Sequence, residues 1–291
     1  MQNKSQVLAI FLLALSCSAA SAETTPLIRI KGSDTMVYVA QTWAEEYRHQ
    51  MRDVAVSVGG GGSGTGFHAM LIGTADLVNA SRRISKKETE RATDLGMDPV
   101  EHVVGFDALA LYLHKDNPID SVSFAQLAQI FGRNGTIEKW SDLGIEVPGC
   151  KGQEIVRVGR QASSGTYVYF RSAVLQGQGR YDMGILDMIS SKDVVQMVER
   201  TPCAIGYSGL AYATPNVKMA CVKKDETSAC VLPSIASASD KSYPIARPLF
   251  VYAKNQPSGE IKSYLDWILS DKGQCIVQRK GYAPVRPLDC N

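Results

Sequence analysis

The sequence predicts an α/β fold in which short strands alternate with helices around mostly parallel or mixed sheets. Two observations predict it. Short apolar runs with the length of strands recur along the chain, and most are followed by a segment whose apolar residues repeat with a helical period. The chain has 291 residues, which at about 150 residues per domain is enough for two domains.

The amino-terminal part alternates strand and helix three times. Apolar runs that end at glycine or serine predict strands at 27–31, 54–58 and 75–80. Helical periodicity or a polar helix-forming composition predicts helices at 36–48, from 67 onward and at 86–94. Ser33 or Asp34 suits the N-cap of the first helix, because a short side-chain oxygen accepts from the free N–H groups there.

The remainder continues the alternation. Apolar runs predict strands at 102–105 and 108–113, with Phe106 and Asp107 between them, and then at 155–158, 217–222 and 249–253. Periodic segments predict helices at 124–131, 166–175, 193–200, 259–269 and 272–278. No proline- or serine-rich linker separates two halves. That absence suits two lobes joined by more than one crossing of the chain.

Composition excludes several classes of protein. Hydrophobic residues make up 45% and charged residues 21% of the chain, which is typical of a folded protein and argues against disorder. The net charge of +2 is too small for binding nucleic acid by bulk electrostatics. The four histidines lie far from the cysteines in sequence, so we expect neither a metal site nor a cofactor.

The first 22 residues have the pattern of a secretory signal peptide. Lys4 precedes an apolar run at 7–15, and 20–22 (ASA) is typical of a cleavage site. The run is too short for a membrane span, which needs about 20 helical residues. Cys17 lies in a poor lipobox, so we expect a cleaved signal and a periplasmic protein rather than a lipid anchor.

The mature chain retains six cysteines. An even number in an exported chain predicts disulfides. Local spacing favours Cys221–Cys230 across a hairpin and Cys275–Cys290 near the C-terminus, which leaves Cys150–Cys203. The sequence by itself does not choose among the alternative pairings.

Three junctions share one chemistry. Segments 32–35 (GSDT), 62–66 (GSGTG) and 163–166 (SSGT) each follow a strand and precede a helix. At a helix N-terminus the first N–H groups are free and the dipole is positive, so the backbone alone can bind an anion. Glycine allows close approach, and serine and threonine add hydroxyl donors. A plain N-cap explains any one junction, but the recurrence favours an anion site.

Two arginines stand next to these junctions. Arg82 follows the strand that ends at Ser81, and Arg160 precedes the third junction. The planar guanidinium group suits two-point contact with an oxyanion. Their position at strand ends favours ligand roles over a solvated surface role, whereas Arg83 is expected to face solvent.

The order of these motifs resembles the periplasmic phosphate-binding proteins of ABC uptake systems, in their shorter branch. The resemblance spans residues 26–287 and is carried by GSDT, GGGGSGTG, a strand that ends in Ser-Arg, Asp107 and GRQASSGT. It implies a two-lobed solute-binding fold of class II type, with mixed sheets flanked by helices and a ligand cleft between the lobes. Lobe I would comprise 23–105 and 245–291, and lobe II 106–244.

The resemblance also implies the ligands. Lobe I would supply Ser33, Thr35, Ser63, Thr65, Ser81 and Arg82, and lobe II would supply Arg160, Ser163, Ser164, Gly165 and Thr166. Some relatives carry an aspartate after the serine of the third motif, where this chain has Arg82, and another two residues after the lobe II arginine, where it has Ala162. The carboxylate that would accept the phosphate proton is therefore open.

That carboxylate bears on selectivity. Hydrogen phosphate has a proton to donate and sulfate has none, so a buried carboxylate would favour phosphate. Asp107 is the first candidate because it interrupts an apolar strand pair, although a hinge or structural role fits it equally. Asp34 is the second candidate, and an N-cap role fits it as well.

The expected function is capture of inorganic phosphate and its delivery to a membrane ABC permease, by a monomer that is not an enzyme and has no nucleic-acid partner. A binding protein for sulfate, molybdate or tungstate is the nearest alternative. A signalling or adhesion module on the same scaffold is another. Two classes of enzyme are disfavoured. The G-x-G-x-x-G match at 59–64 lacks the acidic residue about 20 positions further on that a dinucleotide-binding motif requires. Neither Ser63 nor Ser164 lies in the G-x-S-x-G motif of serine hydrolases.

Overall fold

A computed structural model describes residues 25–176 and 179–290. The predicted signal sequence and Cys17 lie outside the described residues. The described strands are β1 (Leu27–Gly32), β2 (Ala55–Gly61), β3 (Leu77–Ala80), β4 (Val100–His114), β5 (Ser121–Ser123), β6 (Val156–Arg160), β7 (Leu186–Met188), β8 (Ala204–Gly209), β9 (Val217–Lys223) and β10 (Ala246–Ala253).

The helices pack on both sides of these strands. They are α1 (Val37–Gln50), α2 (Ser63–Leu71), α3 (Lys86–Asp94), α4 (Phe124–Phe131), α5 (Gly165–Val174), α6 (Ser191–Arg200), α7 (Ile235–Ser239), α8 (Gly259–Leu269) and α9 (Asp271–Arg279). Short 3-10 turns precede α1 at Asp34–Met36 and follow β8 at Leu210–Tyr212. No helix within 25–176 or 179–290 is both long and apolar enough to cross a membrane.

The strands form one mixed sheet in the order β2-β1-β3-β10-β4-β8-β6-β7, with β9 paired to both β4 and β5. Strand β4 is common to both parts of the sheet. Its first half pairs with β10 and its second half with β8 and β9. The strand pairs at the two ends of the sheet are parallel. In the middle of the sheet, β10 and β4 run antiparallel to their neighbours.

The two largest hydrophobic cores among the described residues lie at the two ends of this sheet. The first contains Trp43, Leu77 and Tyr264, and the second contains Leu111, Trp140 and Phe170. We refer to the parts around them as lobe I and lobe II. The chain passes between the lobes within β4 and at the start of β10. The lobe boundaries at 105 and 245 stay a prediction.

Two local predictions were wrong, and four elements were not predicted. The two strands predicted at 102–105 and 108–113 are the single strand β4, because the charge of Asp107 is neutralised by Arg247 on the neighbouring strand. Helix α2 begins at Ser63 rather than 67. A Cβ at Gly66 would lie 2.7 Å from the Cα of Gly32. Close packing of α2 onto β1 therefore requires glycine at this position, even though glycine is a poor helix former. The elements that were not predicted are the fully buried β8, the short strands β5 and β7, and the short helix α7.

Disulfides join Cys150 to Cys203, Cys221 to Cys230 and Cys275 to Cys290. These are the pairings that local spacing favours. The first closes the longest loop, since its two cysteines are separated by 53 positions in the sequence. That loop contains β6 and α5, which carry the third hydroxyl-rich junction.

Candidate functional site

The three hydroxyl-rich junctions converge between the lobes. Ser33 Oγ donates to Ser81 Oγ at 2.9 Å, and Ser63 Oγ lies 3.4 Å from Ser81 Oγ. Thr35 Oγ1 of lobe I lies 3.0 Å from Thr166 Oγ1 of lobe II. All five side chains are buried. We call Ser33, Thr35, Ser63, Ser81 and Thr166 the hydroxyl cluster; each belongs to the set predicted from the sequence.

Helix starts surround the hydroxyl cluster. Ser63 is the first residue of α2, and Gly165 is the first residue of α5. Ser164 is the N-cap of α5, and its Oγ accepts from Thr166 N at 3.1 Å. The first N–H groups of these helices lack partners within the helix and carry partial positive charge. The cluster therefore combines hydroxyl donors with backbone donors from both lobes.

Gly165 brings the lobes into contact at this point. A Cβ built on Gly165 would lie 2.3 Å from Ser63 Oγ and 2.6 Å from Ser81 Oγ. No side chain other than hydrogen fits there while the two lobes are closed. The glycine in the SSGT motif is thus required by the approach of α5 to the lobe I hydroxyls.

We expect Gly165→Ala to prevent full closure, because the added methyl group would overlap two lobe I hydroxyl oxygens. The variant should bind phosphate at least about tenfold more weakly than the parent by calorimetric titration. Gly59→Ala is the matched control, since its Cβ would be 3.6 Å from the Lys31 side chain, an ordinary contact. Equal affinity of Gly165→Ala and the parent would show that closure does not bury the ligand at Gly165.

Arg247 on β10 is the cation in direct contact with the hydroxyl cluster, and the sequence analysis did not identify it. Its Nη2 donates to Thr35 Oγ1 at 3.3 Å and Thr166 Oγ1 at 3.0 Å, and its Nη1 donates to the Ser81 carbonyl oxygen at 3.2 Å. The residue is only 1% exposed. The available signal in the sequence was an arginine two residues before the apolar run that predicts a strand at 249–253.

Asp107 fixes the Arg247 guanidinium group. Its Oδ2 accepts from Arg247 Nη2 at 2.8 Å and Nε at 3.1 Å, and its Oδ1 accepts from Leu210 N at 3.2 Å. Both side chains of the ion pair are fully buried. Burial raises the pKa of Asp107, and the positive charge of Arg247 opposes that rise.

Arg160 pairs with a carboxylate of the opposite lobe. Its Nη2 donates to Asp34 Oδ2 at 2.8 Å, and its Nη1 donates to Ser191 Oγ at 2.9 Å. Burial lowers the pKa of Arg160, an effect that the charge of Asp34 opposes. Each guanidinium group at the site is therefore paired with one carboxylate. An anion between the lobes would therefore meet hydroxyl and N–H dipoles rather than an excess of positive charge.

Two predicted ligands, Arg82 and Thr65, form their hydrogen bonds to groups other than the hydroxyl cluster. Both guanidinium nitrogens Nη1 and Nη2 of Arg82 donate to the Glu88 carboxylate, at 2.8 and 2.7 Å. Thr65 is exposed, and its Oγ1 donates to the Gly61 carbonyl oxygen at 2.7 Å. Their sequence neighbours Ser81 and Ser63 take part in the cluster instead.

Ser163 contacts the edge of the site through its backbone and hydroxyl. Its carbonyl oxygen accepts from Gly64 N at 3.0 Å, and its Oγ donates to the Gly61 carbonyl oxygen at 3.2 Å. Both bonds join lobe II to the glycine loop of lobe I.

No group of three or more metal-ligating side chains is present in the part of the chain that the structure describes.

A family model described as a PBP superfamily domain matches residues 18–272. The chain belongs to the PBP superfamily. Among other members, it is 34% identical over 265 residues to the phosphate-binding protein PstS of Pseudomonas aeruginosa, a match that covers 87% of this chain and 81% of that protein. It is 32% identical over 271 residues to protein SphX of Synechococcus elongatus, covering 89% and 77%.

The fold of this PBP-superfamily chain also matches solved structures. A crystal structure from Clostridium perfringens, assigned as a phosphate ABC transporter substrate-binding protein with bound phosphate, superposes with a TM-score of 0.77 at 26% identity. The match covers 89% of this chain and 100% of that one. The family resemblance and the two-lobed α/β fold predicted from the sequence are confirmed.

Proposed function

We propose that this protein captures inorganic phosphate in the periplasm and delivers it to a membrane ABC permease. The observation that carries the proposal is the convergence of buried hydroxyls and helix starts from both lobes at one point between them. Such a site offers donors in several directions to a tetrahedral anion. The names of the relatives above support phosphate as that anion. The protein acts as a monomeric carrier without catalysis.

The proposed ligands combine both lobes. The hydroxyls that now bond one another rotate to donate to phosphate oxygens, and the N–H groups that begin α5 add backbone donors. The set comprises Ser33, Thr35, Ser63, Ser81, Ser164, Gly165, Thr166, Arg160 and Arg247. Arg247 takes the place of Arg82 in this set, because Glu88 holds the Arg82 guanidinium group.

The carboxylate that would accept the proton of hydrogen phosphate stays a prediction for Asp107, with Asp34 second. Asp107 Oδ1 accepts one N–H group, from Leu210, and a carboxylate oxygen has room for a second donor. Sulfate has no proton to offer, so it would leave this oxygen facing a like charge.

Calorimetric titration tests the proposal. Mature protein freed of ligand by unfolding and refolding, with its disulfides intact, is titrated with phosphate and then with sulfate and molybdate. We expect one-to-one phosphate binding that excess sulfate does not compete away. Preferential binding of sulfate or molybdate would replace the ligand and keep the site. Failure to bind any of the three would favour a signalling or adhesion role on the same scaffold.

A further inference from the structure

We propose that Asp34 is a positioning residue that stabilises closure of the two lobes through its ion pair with Arg160, so that the closed form is favoured before any anion binds. The proposal concerns lobe closure and rests on the proposed function only where phosphate is used as a probe. Its basis is a buried ion pair whose two members are each fixed to a different lobe.

Asp34 is fixed to lobe I. Its Oδ1 accepts from Gly61 N at 2.8 Å, within the glycine loop before α2. A Cβ at Gly60 would lie 2.5 Å from the same oxygen, so the glycine run is what admits the carboxylate. Asp34 is only 9% exposed, and Met36 two residues on belongs to the lobe I core. The carboxylate therefore keeps its place whether or not lobe II is in contact.

Arg160 is fixed to lobe II in the same manner. Its Nη1 donates to Ser191 Oγ at 2.9 Å, its Nη2 to the Ile189 carbonyl oxygen at 3.0 Å and its Nε to the Met188 carbonyl oxygen at 3.3 Å. These acceptors all lie at the end of β7 and the start of α6. Opening of the cleft would leave these bonds in place and break the bond to Asp34.

The other ion pair at the site does not respond to opening in this way. Arg247 and Asp107 lie opposite each other on β10 and β4, which are paired where the chain passes between the lobes. The other hydrogen bonds to Thr166 across the cleft have a neutral acceptor or donor, since Thr166 Oγ1 bonds to the Thr35 hydroxyl and to Arg247 Nη2. Separation of Asp34 from Arg160 is therefore the step of opening that parts opposite charges.

The physical consequence follows from the low dielectric around the pair. A charge-assisted hydrogen bond in a buried site is stronger than a neutral one, and any contact present in only one state shifts the equilibrium toward that state. Asp34 also balances the charge of Arg160, so its removal alters anion affinity in two opposing ways. The lobe equilibrium without ligand is the readout that isolates the closure effect.

The test is small-angle X-ray scattering of the mature protein stripped of ligand. We expect the parent to be compact without phosphate, and Asp34→Asn to show a larger radius of gyration that returns to the parent value with saturating phosphate. Asp76→Asn is the matched control, because Asp76 pairs with Arg29 at 2.7 Å within lobe I. It should leave the radius unchanged, and Asp34→Glu should restore at least part of the closure.

Arg160→Gln removes the other member of the ion pair and should open the ligand-free protein to the same extent as Asp34→Asn. The double variant should open no further than either single variant. Circular dichroism establishes that each variant is folded, and Arg160→Gln replaces Asp34→Asn as the test if the latter does not fold. The same ligand-free radius for the parent and for the folded variants would overturn the proposal. Because this comparison uses no ligand, it holds whichever anion the site binds.

Discussion

Arg247→Ala is expected to lower the free energy of unfolding by about 3–5 kcal/mol, because it leaves the Asp107 carboxylate buried without its partner. Phosphate affinity should also fall by more than about tenfold, since the guanidinium group contacts Thr35 and Thr166 and offers charged donors at the site. Urea denaturation measures the first effect, and calorimetric titration of the folded protein measures the second.

A double variant separates these two effects. Arg247→Met combined with Asp107→Asn removes both charges, so it should recover part of the stability lost by Arg247→Ala without recovering phosphate affinity. If the double variant is no more stable than the single one, an unpaired buried charge is not the cause of the loss.

Arg82→Ala is the comparison for the ligand role. Arg82 pairs with Glu88 rather than with the hydroxyl cluster, so this variant should bind phosphate much as the parent does. Loss of affinity as large as that of Arg247→Ala would instead support the sequence-based prediction of Arg82 as a ligand.

Removal of the Cys150–Cys203 disulfide by a double Cys→Ala variant should destabilise the protein by about 4 kcal/mol, because the bond closes a long loop and restricts the unfolded chain. The loop contains β6 and α5, and Cys150 lies in the lobe II core. Phosphate affinity should fall at urea concentrations that leave the parent folded. Denaturation curves of the oxidised parent and the variant provide the comparison.

The Cys221–Cys230 bond is the internal control for that effect. Its two cysteines are separated by only nine positions in the sequence, so its removal should cost about 2.5 kcal/mol by the same loop-entropy argument. A larger loss for the short loop than for the long one would show that chain entropy does not govern the contribution of these disulfides.

Elements governed by local pattern were predictable from the sequence. The apolar periodicity at 124–131 and 259–269 gave helices with the observed bounds, since an amphipathic segment needs only one face to pack on a neighbour. The break predicted at Asp107 was wrong, because a charge within an apolar run signals a strand end unless a partner on another strand neutralises it. That partner lies 140 residues away in the sequence.

The sequence by itself determined the chemistry of the site: glycine, serine and threonine at three strand-to-helix junctions have a local meaning as free N–H groups and hydroxyl donors. Only the tertiary structure decided which cations face them. An arginine side chain is long enough to reach several partners, and its direction depends on where carboxylates lie in space. Glu88 draws Arg82 away, Asp107 directs Arg247 to the cluster, and Asp34 joins Arg160 across the lobes.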